Sequence, residues 1–495
     1  MSSATTGPDG RTSFTGNDSA LLGIVLAVVT FWLFAQTTMN IGPLMAEDVG
    51  MPMPVMNIAI SLSALFSGMF IVVLGGLGDK YGRLRVVLLG NILNIVGSLL
   101  IAFAFGAGAT PMILLGRILQ GLAAGSIMPS TMALLKVYWD GPARQRAVSM
   151  WSIGSWGGSG LTAIFGGFMA STFLGWRSIF IICAIVSVIS ILLMRQIPES
   201  APAAGREGRT DWVGIISLAV GLAALLIVVT QGSAIGWTNL ITWGLLGLFL
   251  AALGVFINTE LRTDTPFVDF NLFKNPVFTG ATISNFLING TAGALTVSLW
   301  VLQGAAGMSA ATAGYITVGY AIFIIGFIRV GEKLLQKFGP RKPMIWGSLI
   351  VLASIALLMA THTLQWQYVI LAVIAYSLFG LGLAFYATPS TDAALTNLPE
   401  EQTGAGSGIY KMASSLGAAF GVAASAAIFT ALSESGLEVI GAALEFSGRQ
   451  DNLAVREAGM IGLAFNALMA IAALISITIF IPKQKKEKAE TAAQA

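Results

Sequence analysis

The sequence predicts an all-α polytopic membrane protein with about 14 transmembrane helices in a 6+2+6 arrangement. Three observations carry that reading. Apolar runs of roughly 20 residues recur along the chain, each long enough to cross a hydrocarbon core. Only 10% of the residues are charged, against about 25% in a soluble globular domain. The basic residues gather in alternate segments between the runs, as membrane insertion demands.

In chain order, residues 1–19 are polar and read as a disordered cytoplasmic tail. They do not resemble a cleavable signal, because the run that follows is of full spanning length. A first six-helix bundle over 20–196 holds runs at 20–44, 55–77, 85–105, 111–134, 147–169 and 176–194. Residues 197–275 are linkers plus two extra helices at 212–230 and 237–258, the first linker reading P-E-S-A-P-A-A-G-R-E-G-R-T-D. A second six-helix bundle over 276–482 holds 276–303, 311–331, 343–361, 366–388, 405–432 and 459–481, and a basic cytoplasmic tail occupies 483–495.

Charge placement gives the sidedness. Lys80, Arg83, Arg85, Lys136, Arg144, Arg146, Arg206, Arg209, Arg262 and Lys274 fall on one side. So do Lys333, Lys337, Arg341, Lys342 and the K-Q-K-K-E-K tail, while the other side holds Arg177, Arg449 and Arg456. The positive-inside rule then places both termini in the cytoplasm of a multi-pass protein of the cell inner membrane. An even number of spans requires the same shared side.

Composition also excludes functions. The single cysteine, Cys183, allows no disulfide framework and no cysteine-based metal site. The lone histidine, His362, sits near a span end and is read as incidental. No Cys/His/acid constellation, nucleotide loop or extramembrane domain is present, and the longest polar loop, 433–458, is featureless. The expectations are therefore no enzyme, no cofactor, no metal and no nucleic acid, but a small-molecule substrate, a lipid bilayer and a monomer. The net charge of +3 reflects topology alone.

The chain is organised around residues 75–85, G-G-L-G-D-K-Y-G-R-L-R, between the second and third runs. Gly78 and Gly82 permit close approach and unusual backbone angles, and Asp79 can accept from a helix N-terminus. This stretch resembles the signature loop between helices 2 and 3 of the major facilitator superfamily, G-x-L-x-D-r-x-G-r-x-r, at Gly75, Leu77, Asp79, Lys80, Gly82, Arg83 and Arg85. A weaker copy at 334–342, L-L-Q-K-F-G-P-R-K, puts Gln336, Gly339 and Lys342 at the positions of Asp79, Gly82 and Arg85. That repeat suits two related halves enclosing a central cavity.

Arg117 lies well inside the fourth run, where a charge costs at least ~2.5 kcal/mol. With Gln120 and Gly121 it is similar to the superfamily's R-x-x-q-G motif, whose arginine is implicated in proton coupling; the other reading is a structural arginine bonded to carbonyls. In the fifth run Gly154, Gly158, Thr162 and Gly166 recur every four residues, with Gly167 adjacent, as a helix-packing motif. Antiporters of the superfamily carry G-x-x-x-G-P-x-x-G-G here, and this chain has Thr162-Ala163 in place of Gly-Pro. The first run places Trp32, Gln36 and Asn40 on one face. The 14-span drug:proton antiporters read D-x-T-x-x-N there, but Ala35 or Gln36 occupies the acid position. No Asp or Glu lies in the middle of any run, with Asp211, Glu260, Glu332 and Asp392 all near ends.

Cavity candidates are Trp32, Gln36, Asn40, Trp151, Asn285, Asn289 and Tyr376, with Trp156 and Trp300 as further aromatics. Such a lining suits a neutral, amphipathic or anionic solute better than a strongly cationic one. Lys411, just inside the thirteenth run, suits an anion, or snorkels to the surface. The resemblance covers nearly the whole chain, to the 14-span drug:proton antiporter family. It implies proton-coupled multidrug efflux by alternating access, with Asp79, Arg83, Arg117 and Gln120 in conformational and proton coupling. Asp79 would latch the two halves by capping the helix near Ala405, and the extra helices would stay peripheral. The alternative is an importer or uniporter of one specific metabolite, favoured by the missing first-span carboxylate.

Overall fold

Within a bilayer every backbone N–H and C=O needs a partner in its own segment, so long apolar runs become helices. A computed structural model of the chain describes residues 5–6, 12–13, 16–139, 153–199, 211–263, 270–363, 365–396, 403–435 and 444–483, with isolated positions between them. The first block is α1 (Asp18–Val49), α2 (Met53–Tyr81), α3 (Arg83–Ala102), α4 (Ala109–Tyr138), α5 (Gly158–Ser171) and α6 (Arg177–Met194). Two further helices follow, α7 (Trp212–Ile235) and α8 (Leu240–Arg262). The second block is α9 (Pro276–Gly304), α10 (Ala310–Phe338), α11 (Arg341–Leu358), α12 (Gln365–Leu395), α13 (Thr403–Ser435) and α14 (Leu453–Phe480). Among the described residues 13 of these helices are long and apolar enough to cross a membrane. The remaining one is α5, entered through a π-helical turn at Ile153–Gly157.

The two blocks pack by one scheme. In the first, α4 lies on α2 and α3, and α6 lies on α1 and α3; in the second, α12 lies on α10 and α11, and α14 lies on α9 and α11. Glycines repeat the scheme in detail. A Cβ on Gly97 of α3 would stand 2.7 Å from the Gly116 carbonyl of α4, and one on Gly347 of α11 would stand 2.6 Å from the Gly382 carbonyl of α12. The blocks meet through α2 against α13 and α5 against α10. One bundle end carries the start of α1, the end of α14 and the α2–α3 turn; it is called the terminal side below, and the other the distal side.

Several sequence expectations need correction. Residues 75–81 are not a loop: α2 runs on to Tyr81, and Gly82 alone breaks the helix, at φ 113°. Apolar content ends at the membrane surface, but the hydrogen-bond ladder continues beyond it. The expected tail at 1–19 lies mostly outside the described residues, yet Thr5–Thr6 pairs with Thr12–Ser13, and Asp18 already opens α1. The run at 459–481 starts earlier, at Leu453, because Arg456 and Glu457 are buried within the bundle. The ninth run is interrupted at Thr291. The extra pair is not wholly peripheral: α7 lies against both α2 and α13, where Leu226 joins Leu65, Met69 and Ala423 in one apolar cluster.

Candidate functional site

Helix α1 is not a uniform α-helix. It passes through a π turn at Thr30–Phe34 and a 3-10 turn at Ala35–Thr37 before resuming. The hydroxyls of Thr30 and Thr37 bond back to the carbonyls of Ala27 and Phe34 at 2.6 and 2.7 Å, competing with the regular ladder. Such turns re-aim side chains. Here Phe31, Trp32 and Gln36 face a cavity of about 1100 Å³ between the two blocks.

Arg117 of α4 supports this turn from behind. It is fully buried and does not line the cavity. Its Nε donates to the Ala59 carbonyl at 2.9 Å and its Nη2 to the Ile60 carbonyl and Ser63 Oγ at 3.1 and 2.6 Å. Its Nη1 donates to Gln120 Oε1 at 3.0 Å and to the carbonyl of Ala35, in the irregular part of α1. All five guanidinium N–H groups are thereby occupied, without a carboxylate. Gln120 in turn donates to Ser98 at 3.1 Å, tying in α3.

The expected glycine row on α5 serves two neighbours. Gly154, Gly158 and Gly166 face Val25, Trp32 and Thr37 of α1, and the Thr162 hydroxyl donates to the Trp32 carbonyl at 2.7 Å. Gly167 instead faces α10, where a Cβ would stand 2.7 Å from Ala311 Cα. Helix α5 is therefore the slat between the cavity wall and the second block.

The cavity is closed distally. Asn40 Nδ2 donates to the carbonyls of Ala163 and Ala310 at 2.8 and 3.1 Å, and Gln303 Nε2 donates to Asn40 Oδ1 at 3.0 Å. Trp300 Nε1 donates to the Met39 carbonyl at 3.1 Å. Asn57 of α2 reaches Thr430 of α13 at 3.0 Å. Toward the terminal side the lining continues past Gly75, Arg83, Asp211 and Ser407, so the cavity reaches that face.

Its two long walls differ. The first block contributes Phe31, Trp32, Met128 and Trp151, with Gln36 Oε1 and Trp32 Nε1 lacking hydrogen-bond partners. The second block contributes a polar chain. Tyr386 hydroxyl pairs with Ser284 at 2.8 Å, Ser390 donates to Tyr386 at 3.0 Å, and Tyr410 donates to Ser390 at 2.7 Å. Asn285 Nδ2 donates to the Tyr410 carbonyl at 2.8 Å and to Ser414 at 2.6 Å, and Asn289 Nδ2 donates to Asn285 at 2.9 Å. Lys411 lines the cavity from the same block.

Trp32, Gln36, Asn40, Trp151, Asn285 and Asn289 thus line the cavity as expected from sequence, though the Asn40 amide is engaged in closure. Tyr376 does not: it is fully buried against Ser298 at 2.8 Å, in the core of the second block. Trp300 is likewise buried, and the Trp156 side chain lies outside the described residues. The side chain of Asp79, and with it the latch near Ala405, also lies outside them. Glu199, after α6, holds the start of α3 instead, accepting from the Leu84 and Arg85 amides at 3.0 Å each. Gly82 must lack a Cβ to admit that carboxylate. Burial, with Glu199 nearby, holds the Tyr138 phenol above its ordinary pKa, against the pull of Arg83. Glu199 and the buried Glu457 were missed, since both sit just outside or at the edge of an apolar run. Serine and tyrosine at i and i+4 on α12 were the available signal for the polar chain.

Two six-helix blocks of one packing scheme, around a cavity sealed at one end and open at the other, define a membrane transporter of the secondary class. A family profile, the Major Facilitator Superfamily, matches residues 21–422. The chain belongs to that superfamily. It is 44% identical over 475 residues to quinolone resistance protein NorB of Staphylococcus aureus strain MRSA252, covering 96% of this chain and 98% of that one. NorB of strain COL gives 44% over 474 residues, with the same coverage of 96% and 98%. Among solved structures, a D-xylose-proton symporter matches at TM-score 0.64 and 15% identity, over 94% of this chain and 97% of its own. The POT family transporter PepTSo matches at 0.63 and 14%, over 94% and 99%. At such identities these two speak for the fold alone.

Proposed function

We propose that this protein is a proton-coupled exporter of drugs or amphipathic small molecules, working by alternating access in the plasma membrane. The observation that carries this reading is the cavity, apolar and aromatic on one wall and hydrogen-bonding on the other, closed distally and open on the terminal side. The distribution of basic residues supports a cytoplasmic terminal side, so the state described is inward-open. The NorB relatives, named for quinolone resistance, support export of planar aromatic drugs. In this reading residues 20–196 and 276–482 rock as two bodies, residues 197–275 carry the α7–α8 pair over one seam, and the protein acts as a monomer. Asp79, in the last turn of α2, and Arg83, at the start of α3, are assigned to conformational coupling at the α2–α3 turn. Arg117 and Gln120 act by holding the α1 turn, and the α5 row of Gly154, Gly158, Thr162, Gly166 and Gly167 acts as a sliding surface.

The second reading, a uniporter or importer of one metabolite, is favoured by one observation. The carboxylate that lines the cavity among the described residues is Asp211, at its mouth, and none lies at its centre. Purified protein in liposomes holding a pH-sensitive dye separates the two. Proton movement that depends on a quinolone or a lipophilic dye supports the exporter; flux of a solute without proton movement supports the uniporter. Neither flux nor proton movement across a panel of drugs and metabolites would sink both.

A further inference from the structure

We propose that Lys411 anchors the negatively charged end of the transported solute, so that the cavity selects amphipaths bearing a carboxylate over the same molecules with that charge removed. The inference rests on the cavity being the solute site. Lys411 lies eight residues into α13, roughly 12 Å along the helix from its start, within the bundle. A charge so placed is costly in a spanning helix and marks function by default. Lys411 lines the cavity together with Ser407, Ser414 and Ser415, one face of α13. It is exposed to that space and has no hydrogen bond or ion pair among the described residues. Among the described residues the other charged side chains on the lining are Arg83 and Asp211, both toward the mouth. Asp211 already accepts from the Gly214 amide at 2.8 Å, as the cap of α7.

The walls then orient a ligand. Lys411 stands on the second-block wall that Asn285 and Asn289 also line, while Phe31, Trp32 and Trp151 belong to the first-block wall. A flat aromatic body would lie against the aromatic wall with its anionic edge toward Lys411. A strongly cationic solute meets like charge at Lys411.

The test compares a quinolone carboxylic acid with its methyl ester, binding measured by tryptophan fluorescence on purified wild type, Lys411→Gln and Lys411→Arg in nanodiscs. Thermal unfolding checks that each variant is folded, which the absence of a protein partner for Lys411 favours. A hydrogen bond to a charged group predicts a roughly tenfold to hundredfold preference for the acid in wild type. That ratio should fall close to one in Lys411→Gln and return in Lys411→Arg. Equal binding of acid and ester by wild type, or a preference that survives in Lys411→Gln, overturns the assignment while leaving the exporter reading intact. Binding of neither ligand to wild type, together with no proton movement in liposomes, overturns both.

Discussion

Replacing Gly167 by valine should drive the two blocks apart on the distal side. A Cβ at Gly167 would stand 2.7 Å from Ala311 Cα and closer still to the Ala310 carbonyl, where ordinary contact is about 3.5–4.0 Å. The obstruction is backbone, so no rotamer change relieves it, and α5 must retreat from α10 by about 1 Å. Overpacking of this kind costs about 1–3 kcal/mol. Because α5 and α10 belong to different blocks, the cost falls on the distally closed state and not on the folding of either block. That corresponds to a 5- to 150-fold change in the equilibrium between closed and open distal ends. The readout is alkylation of Ser415→Cys, on the cavity face of α13, by an impermeant maleimide supplied from the terminal side. Cys183 is the only native cysteine and is buried, so Cys183→Ser gives a clean background. The rate should fall severalfold or more in Gly167→Val. Gly254→Val, where a Cβ meets nothing within 4 Å, should not alter it. An unchanged rate in folded Gly167→Val protein would refute the idea that this contact closes the distal end.

Asn40→Ala removes two donors that join α1 to α5 and α10, and should shift the same labelling rate in the same direction by severalfold; a rise would contradict it. Arg117→Lys leaves three donors for five acceptors. At about 0.6–1.7 kcal/mol for each lost interhelical bond, it should lower stability by about 1–3 kcal/mol, seen as a reduced thermal-unfolding temperature. Wild-type stability with only proton coupling lost would instead assign Arg117 to coupling. Glu199→Ala uncaps α3, a loss of about 1–2 kcal/mol for a partly buried carboxylate at a helix N-terminus. Amide exchange at Leu84 and Arg85 should quicken about 5- to 30-fold, and unaltered exchange would show that the cap is idle.

Much of this was legible in the sequence, and the remainder was hidden for physical reasons. Span number and order follow from apolar length, which the bilayer imposes directly. Helix ends do not, because α2 gains backbone bonds up to Tyr81 whatever the polarity of Gly78 or Lys80, and only the positive φ of Gly82 stops it. The four-residue period on α5 correctly marks a packing face. It does not say which neighbour each glycine meets, so Gly167 against α10 looked identical to Gly166 against α1. Tyr376 has the composition of a cavity residue, but composition does not give rotation about the helix axis, and its hydroxyl is spent on Ser298. The irregular stretch of α1 was hard to see because one cause of it, Arg117 on the Ala35 carbonyl, lies in another helix.

That cause bears on coupling. Arg117 holds the Ala35 carbonyl of α1 and the Ala59 and Ile60 carbonyls of α2 at once, so the turn presenting Trp32 and Gln36 is fixed to α2 and α4. Helix α2 is also the element that meets α13 of the second block, where Lys411 sits. A solute bridging the aromatic wall and Lys411 would therefore pull on α1 and α13. The first of these passes the load through Arg117 to α2, and α2 returns it to α13 at Asn57 and Thr430. An arginine with all five donors engaged has none to release to a passing carboxylate, but it is well suited to make one block move as a unit. The ammonium facing the solute then belongs to the second block, and the strut behind the aromatic wall to the first. Alternating access needs such a division, because binding has to draw on both blocks while deforming neither.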